Sequence, residues 1–176
     1  MPLFTYVSRT ENGKSFSCPY SSQKMIIKEI REFNQKLTQK GIRIIPVRIS
    51  DKRMLVYVYR PEKLKEDFSD EKTQIILKCK GYDCTNLSQC ICRLIQKLQS
   101  DPDFPHEIGL FLGYPAEDVK GFIENKAACS KCSGCWKVYG DEQAARILFK
   151  KYKKCTEIYC RRWKSGVAVE QLTITI

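Results

Sequence analysis

Apolar residues recur every three to four positions in several stretches of this 176-residue chain, a spacing that places them on one face of an α-helix. The pattern predicts an amphipathic helix from Ser21 to Lys40, which Gly41 ends, and a long helix over about 141–164. Shorter helices are predicted at about 70–79, at about 85–99 and on both sides of Gly113.

The stretches "IRIIPVRIS" and "RMLVYVYR" are rich in β-branched and aromatic residues, which favour strands. A tight turn joins them into an antiparallel hairpin over about 42–60, in which Pro46 predicts a bulge or an edge because it has no N–H to donate. The tail "VEQLTITI" is predicted to form a last strand.

Together these elements predict an α+β fold. We expect a small, mostly antiparallel sheet centred on the hairpin and covered by several helices, including the long one near 141–164. A single domain over 1–176 is expected, because no linker or internal repeat marks a boundary.

The charge of the chain is strongly positive, with 31 lysines and arginines against 20 acids and a net charge of +11. Acids are concentrated in residues 101–125. A basic body can bind polyanions; alternatively, lysines dispersed along helices form a solvated surface. For the lysines of "KKYKKC" at 150–155 the sequence favours a solvated outer helix face. No apolar run is long enough to span a bilayer, so no membrane partner is expected.

The ten cysteines fall below the density that is typical of a disulfide scaffold. The first residues, "MPLFTYVSRTENG", lack the pattern of an export signal, which predicts a cytoplasmic protein with reduced thiols. Clustered cysteines in such proteins indicate metal binding or catalysis more often than disulfides.

Three of these cysteines, Cys129, Cys132 and Cys135, are evenly spaced among small residues. Thiolates at this spacing can converge on an iron–sulfur cluster or on zinc, and a fourth ligand would have to come from elsewhere in the chain. The alternative is a group of reduced cysteines on a loop and strand edge.

Several stretches taken in order, "FPHEIGLFLGYPAEDVKGFIENK", "CWKVYGDEQAA" and "FKKYKKCTEIYC", resemble the signature of a bacterial family catalogued only as a domain of unknown function. The resemblance covers about residues 42–163 and implies no activity. Two departures from the family pattern stand out. Only Cys18–Pro19 remains of an N-terminal stretch that in the family resembles "HCAPTLAG", and Cys135 replaces an aromatic residue.

The single histidine, His106, is the only imidazole that could activate a nucleophilic cysteine. The resemblance implies Cys18 as its partner, and Glu107 could orient the ring. The alternative is that "PHE" simply begins a helix, with the ring and the acid both solvated.

A third candidate site lies on the hairpin, where aromatic residues on one strand face could stack bases while arginines hold phosphates. Its residues are Tyr57, Tyr59, Arg43, Arg48, Arg53 and Arg60. Alternatively, the tyrosines pack under a helix.

The first choice of function from the sequence is a thiolate-based metal or iron–sulfur binding module. A cysteine–histidine thiol enzyme and a nucleic-acid or other polyanion-binding module are the alternatives, and the sequence does not decide whether the protein is an enzyme.

Overall fold

The computed structural model describes residues 20–49, 54–100 and 104–173. The helices are α1 (Tyr20–Leu37), α2 (Pro61–Ser69), α3 (Glu71–Cys79), α4 (Leu87–Ser100), α5 (Ile108–Phe111), α6 (Ala116–Glu124), α7 (Glu142–Lys164) and α8 (Val169–Leu172). The strands are β1 (Arg43–Ile49), β2 (Met54–Tyr59), β3 (Cys132–Ser133) and β4 (Lys137–Val138). The α+β class is confirmed, with a two-stranded antiparallel hairpin and a long helix near the C-terminus.

The chain divides into two compact units. Of the described residues, 20–49, 54–66, 82–100 and 104–105 belong to the first unit, and 67–81 and 106–173 belong to the second. The expectation of one domain over the whole chain stays a prediction.

The β1–β2 hairpin is the sheet of the first unit, and its register shifts between Pro46 and Arg48. The bulge predicted from the proline is therefore present. The side chain of Asn34 on α1 accepts a hydrogen bond from the N–H of Ile44 and donates one to its carbonyl, at 2.9 and 2.7 Å. The Gln99 amide on α4 donates to the carbonyl of Val47. Two helices thus supply the hydrogen bonds that a bulged two-stranded sheet leaves unmade.

The core of the first unit is formed by α4 and the hairpin. The three-to-four spacing in α4 puts Leu87, Cys90, Ile91, Leu94 and Leu98 on one face, and all of them except Leu87 are buried. The thiol of Cys90 donates to the carbonyl of Asp83, and its burial raises its pKa to about 11. It is a core thiol, as the helical spacing predicts.

The hairpin packs against helices of its own unit. Val56 and Val58 are half-buried, and α1 and α4 pack on β1. The long helix α7 belongs to the second unit, so its predicted position over the hairpin stays a prediction.

The prediction of a strand at the tail is wrong for 169–172, which form α8. The N–H of Leu172 there bonds the carbonyl of Ala168, closing a single helical turn.

In the second unit an aromatic cluster packs around Trp136, with Val138 and Ala145 buried beside it. The indole stacks on Tyr114 at 4.8 Å between ring centroids and meets Phe149 edge to face at 4.6 Å. The β3–β4 turn reaches Phe149 so closely that a Cβ at Gly134 would lie 2.3 Å from the phenyl ring. Only glycine fits there without moving that ring.

Asp118 on α6 connects this cluster to the chain that follows β4. Its buried carboxylate accepts hydrogen bonds from the indole N–H of Trp136 at 2.6 Å and from the backbone N–H groups of Tyr139 and Gly140 at 2.7 and 2.8 Å. Because the carboxylate accepts hydrogen bonds from three donors, its burial stabilises the unit instead of destabilising it.

The aromatic cluster predicts a loss of stability at alkaline pH. Burial above all, then Cys135, Tyr114 and Asp67, raises the pKa of Tyr152 from 10.0 to about 12. The unfolded chain therefore loses this proton first, so the stabilisation is complete below pH 10 and is lost as the pH rises towards 12. As the pH rises from about 8 to about 11, the urea concentration at the unfolding midpoint should fall more steeply for the wild type than for Tyr152→Phe. Parallel profiles would contradict the prediction.

Candidate functional site

The helix α7 is the longest element of the second unit, with 23 residues and a length of about 35 Å. The side chain of Asp141 accepts a hydrogen bond from the N–H of Ala144 and caps its first turn. Gly166, at a φ of 88°, follows its last turn, and the N–H of Val167 bonds back to the carbonyl of Arg162. Both ends are thus defined by local hydrogen bonds.

One side of the first half of α7 is fixed by packing. Ala145, Leu148, Phe149 and Tyr152 contact the Trp136 cluster. Because a helix is a rigid cylinder, this contact also determines which residues face outwards along its whole length.

The outward side of α7 is basic. The helix carries eight lysines and arginines and two glutamates. Arg146 pairs with Glu142, at 2.6 Å between Nη2 and Oε1, which leaves Glu157 as the other acid of the helix. The remaining seven basic side chains are all exposed, and none forms an ion pair with a residue in the described part of the chain: Lys150, Lys151, Lys153, Lys154, Arg161, Arg162 and Lys164.

At about 100° per residue, five of these seven fall within a sector of about 120° around the helix axis. We call this set the basic face: Lys150, Lys151, Lys154, Arg161 and Arg162. Ile147 and Ile158 lie along its centre and are 57% and 42% exposed. The positive charges therefore share one solvent-facing surface instead of being dispersed around the helix.

The cysteine triplet lies on the loop before α7 and on the β3–β4 turn. The loop coils, because Lys126, Ala127 and Cys129 adopt left-handed backbone angles. Cys129 is exposed, whereas Cys132 is half-buried and packs against the Trp136 cluster. Within residues 20–49, 54–100 and 104–173, no three histidine, cysteine or acidic side chains come together as a group that could hold a metal ion.

The thiol of Cys135 is partly covered although the residue as a whole is exposed, and this burial raises its pKa. It lies near the ring hydroxyls of Tyr114 and Tyr152, whose pKa values are also raised, chiefly by burial and further by Cys135. A neutral thiol is favoured at this position, which is the opposite of what an activated nucleophile needs. None of the nine cysteines in the described chain forms a disulfide.

The predicted cysteine–histidine pair can be located only in part. Cys18 lies outside the described residues. His106 is exposed and meets Phe122 edge to face, with 5.0 Å between the ring centroids. Glu107 is only 3% exposed, so the expectation of two solvated side chains at this helix start is wrong for the acid. The chain places the two neighbours in different environments, because successive residues point in different directions as α5 begins.

The residues predicted for the hairpin site differ in their exposure to solvent. Tyr57 and Arg60 are buried, the latter with a guanidinium N–H donated to the carbonyl of Lys40, and Tyr57 stacks on Tyr59 at 4.9 Å. The phenol of Tyr59 is half-buried, and burial raises its pKa. Arg43 and Arg48 are exposed, and Arg53 lies outside the described residues. The two tyrosines thus stack on each other, and Tyr57 is buried.

These features define the second unit as a small helical domain with a tight aromatic core and an exposed basic helix. The chain belongs to the family described as protein of unknown function (DUF3793), whose model matches residues 5–173. No curated protein and no solved structure matches the chain. Among the described helices, none combines the length and the apolar character that crossing a membrane requires.

The stretches that carry the family resemblance have structural roles in this unit. Asp118 and Trp136 form the buried hydrogen bond, and a Cβ at Gly121 would lie 2.4 Å from the ring of Tyr139. The grouping of basic residues in one sector of α7 is a feature that the sequence interpretation did not bring out. The three-to-four spacing of its residues was the available signal, but spacing does not tell which charges remain unpaired after folding.

Proposed function

We propose that the protein is a polyanion-binding module whose binding surface is the basic face of α7. The observation that carries this proposal is the grouping of five exposed basic side chains in one sector of a helix, without ion pairs to the residues described. Of the two acids in α7, Glu157 is the one without an ion pair to another described residue of the helix.

The energetics of such a surface favour an anionic partner. Like charges one helical turn apart repel each other, and here Lys150 and Lys154 are separated by one turn, about 6 Å along the axis. A polyanion relieves this repulsion and releases its own condensed counterions on binding. Because the inner side of α7 is packed on the aromatic core, the helix holds the basic face in place before the partner arrives.

The salt dependence of binding tests this proposal. Anisotropy of the full chain with a labelled 20-nucleotide oligo-dT and with labelled heparin should show saturable binding to both at low salt. For five phosphate contacts the oligo-dT affinity should fall about 100-fold between about 50 and 200 mM salt. An affinity that does not change with salt, or no binding to either probe, contradicts the proposal.

The other two functions considered from the sequence stay predictions. The metal module needs Cys129, Cys132 and Cys135 to share an ion, and metal analysis of anaerobically purified protein tests it directly. The thiol enzyme needs one hyper-reactive cysteine, which quantitative alkylation would detect. The raised pKa of the Cys135 thiol argues against Cys135 as that reactive cysteine. A cytoplasmic location also stays a prediction.

A further inference from the structure

Trp163 is the most exposed large hydrophobic residue in the described chain, at 63% of its surface. It lies in the last turn of α7 between Arg162 and Lys164. Tyr159, one turn earlier, is half-buried. The last turn of α7 thus presents an aromatic ring to solvent between two basic side chains, and an indole gains free energy when a partner covers it.

The indole lies on the side of α7 that packs on the aromatic core in the first half of the helix, because Trp163 follows Ala145 by 18 residues, or five turns. Arg162 marks one edge of the basic face; at about 100° per residue, Tyr159 lies about 60° beyond it and Trp163 about 40° further. After Ala145 none of the described residues of α7 is buried, and although Tyr159 is half-buried, this side of the helix is exposed at Trp163. In the last turn the exposed indole is therefore flanked by Arg162 of the basic face on one side and by Lys164 on the other.

We infer that the polyanion is a single-stranded nucleic acid, whose phosphates lie along the basic face while a base stacks on Trp163. This inference rests on the proposed function and makes it more specific. Aromatic side chains beside a positive groove are the common means of binding single strands without reading sequence, because every base has a face that stacks. In a duplex the base faces are already stacked on one another and cannot cover the indole.

An anionic membrane fits the same charges less well. The exposed apolar residues of a membrane-surface helix lie on one side, where they enter the lipid together. On α7 the side chains of Ile158 and Trp163 are about 140° apart around the axis, so a flat surface that takes one leaves the other in water. A flexible strand can follow the curvature of the helix.

Tryptophan fluorescence of the full chain separates these possibilities, because the chain has two tryptophans in different environments. Trp136 is 8% exposed and donates its indole N–H to Asp118, so it cannot stack on a ligand. Trp163→Phe leaves only Trp136 as an emitter. The probes are oligo-dT of 20 nucleotides, a duplex of the same length, heparin, and vesicles of phosphatidylserine and phosphatidylcholine.

We expect oligo-dT to quench the wild-type emission and to leave the Trp163→Phe emission unchanged, while heparin binds without quenching. Trp163→Ala should bind oligo-dT at least about fivefold more weakly and heparin equally well. Binding of oligo-dT without quenching, or stronger binding of the duplex, overturns the stacking inference and leaves the proposed function standing. A blue shift with vesicles and no response to oligo-dT overturns it in favour of a membrane. If no probe binds at all, the proposed function itself fails.

Discussion

Asp118→Ala is expected to lower the free energy of unfolding of the second unit by about 3–5 kcal/mol. The substitution removes the carboxylate that accepts three hydrogen bonds. The N–H groups of Trp136, Tyr139 and Gly140 then lose this acceptor at a site where Asp118 is only 3% exposed. Removing one partner of a buried charged network costs the desolvation of the groups that stay behind, which is why the effect exceeds that of a surface change.

The neighbouring residue provides a matched control. Glu117 is exposed and pairs with Lys72 on α3, and an exposed ion pair of this kind contributes little. Urea denaturation, followed by Trp136 emission in a Trp163→Phe background, should show a much lower midpoint for Asp118→Ala and almost no change for Glu117→Ala. Equal midpoints for the two variants would contradict the role assigned to Asp118.

The sequence predicts most of the secondary structure because its periodic patterns are strong. The apolar spacing gives α4 and α7 close to their observed bounds, and the absence of an N–H on Pro46 gives the bulge. Prediction fails at the tail, where the β-branched residues of "VEQLTITI" indicate a strand although 169–172 are helical. Strand propensity depends on packing against a neighbouring strand, so it is a weak guide for a short segment, and 174–176 lie outside the described residues.

The sequence does not reveal which acids are buried. Counted by charge, Asp118 is one acid among several in the acidic stretch 101–125. In the fold its carboxylate is the acceptor for an indole 18 residues away in sequence. Glu107 is likewise only 3% exposed. Burial of a carboxylate depends on donors that only the tertiary structure brings close, and a one-dimensional pattern contains no trace of them.

The exposure of the candidate binding residues also cannot be predicted from the sequence. The arginine and tyrosine residues of the hairpin look like a binding face in the sequence, but Tyr57 and Arg60 are buried. The basic residues of α7 look like an ordinary solvated face, and the structure shows that five of them share one sector. Which residues are available to a partner follows from packing, and packing is set by contacts between distant parts of the chain.

The triple substitution of Lys150, Lys151 and Lys154 by glutamine is expected to weaken oligo-dT binding about 100-fold at about 0.1 M salt. Each lysine removed takes away one phosphate contact and its share of counterion release, so the slope of log affinity against log salt should also fall by about 2. All three side chains are exposed, and the helix should stay folded because glutamine is a good helix former. Circular dichroism checks that point.

The most direct measurement compares this variant with one that loses the same charge elsewhere. Lys65, Lys78 and Arg93 are exposed and lie outside α7, so replacing them by glutamine also removes three charges from the net +11. Anisotropy titrations of oligo-dT at several salt concentrations should show near wild-type affinity and slope for this control, and the large loss for the α7 variant. Equal losses in the two variants would mean that binding follows net charge alone, which would contradict a specific surface on α7.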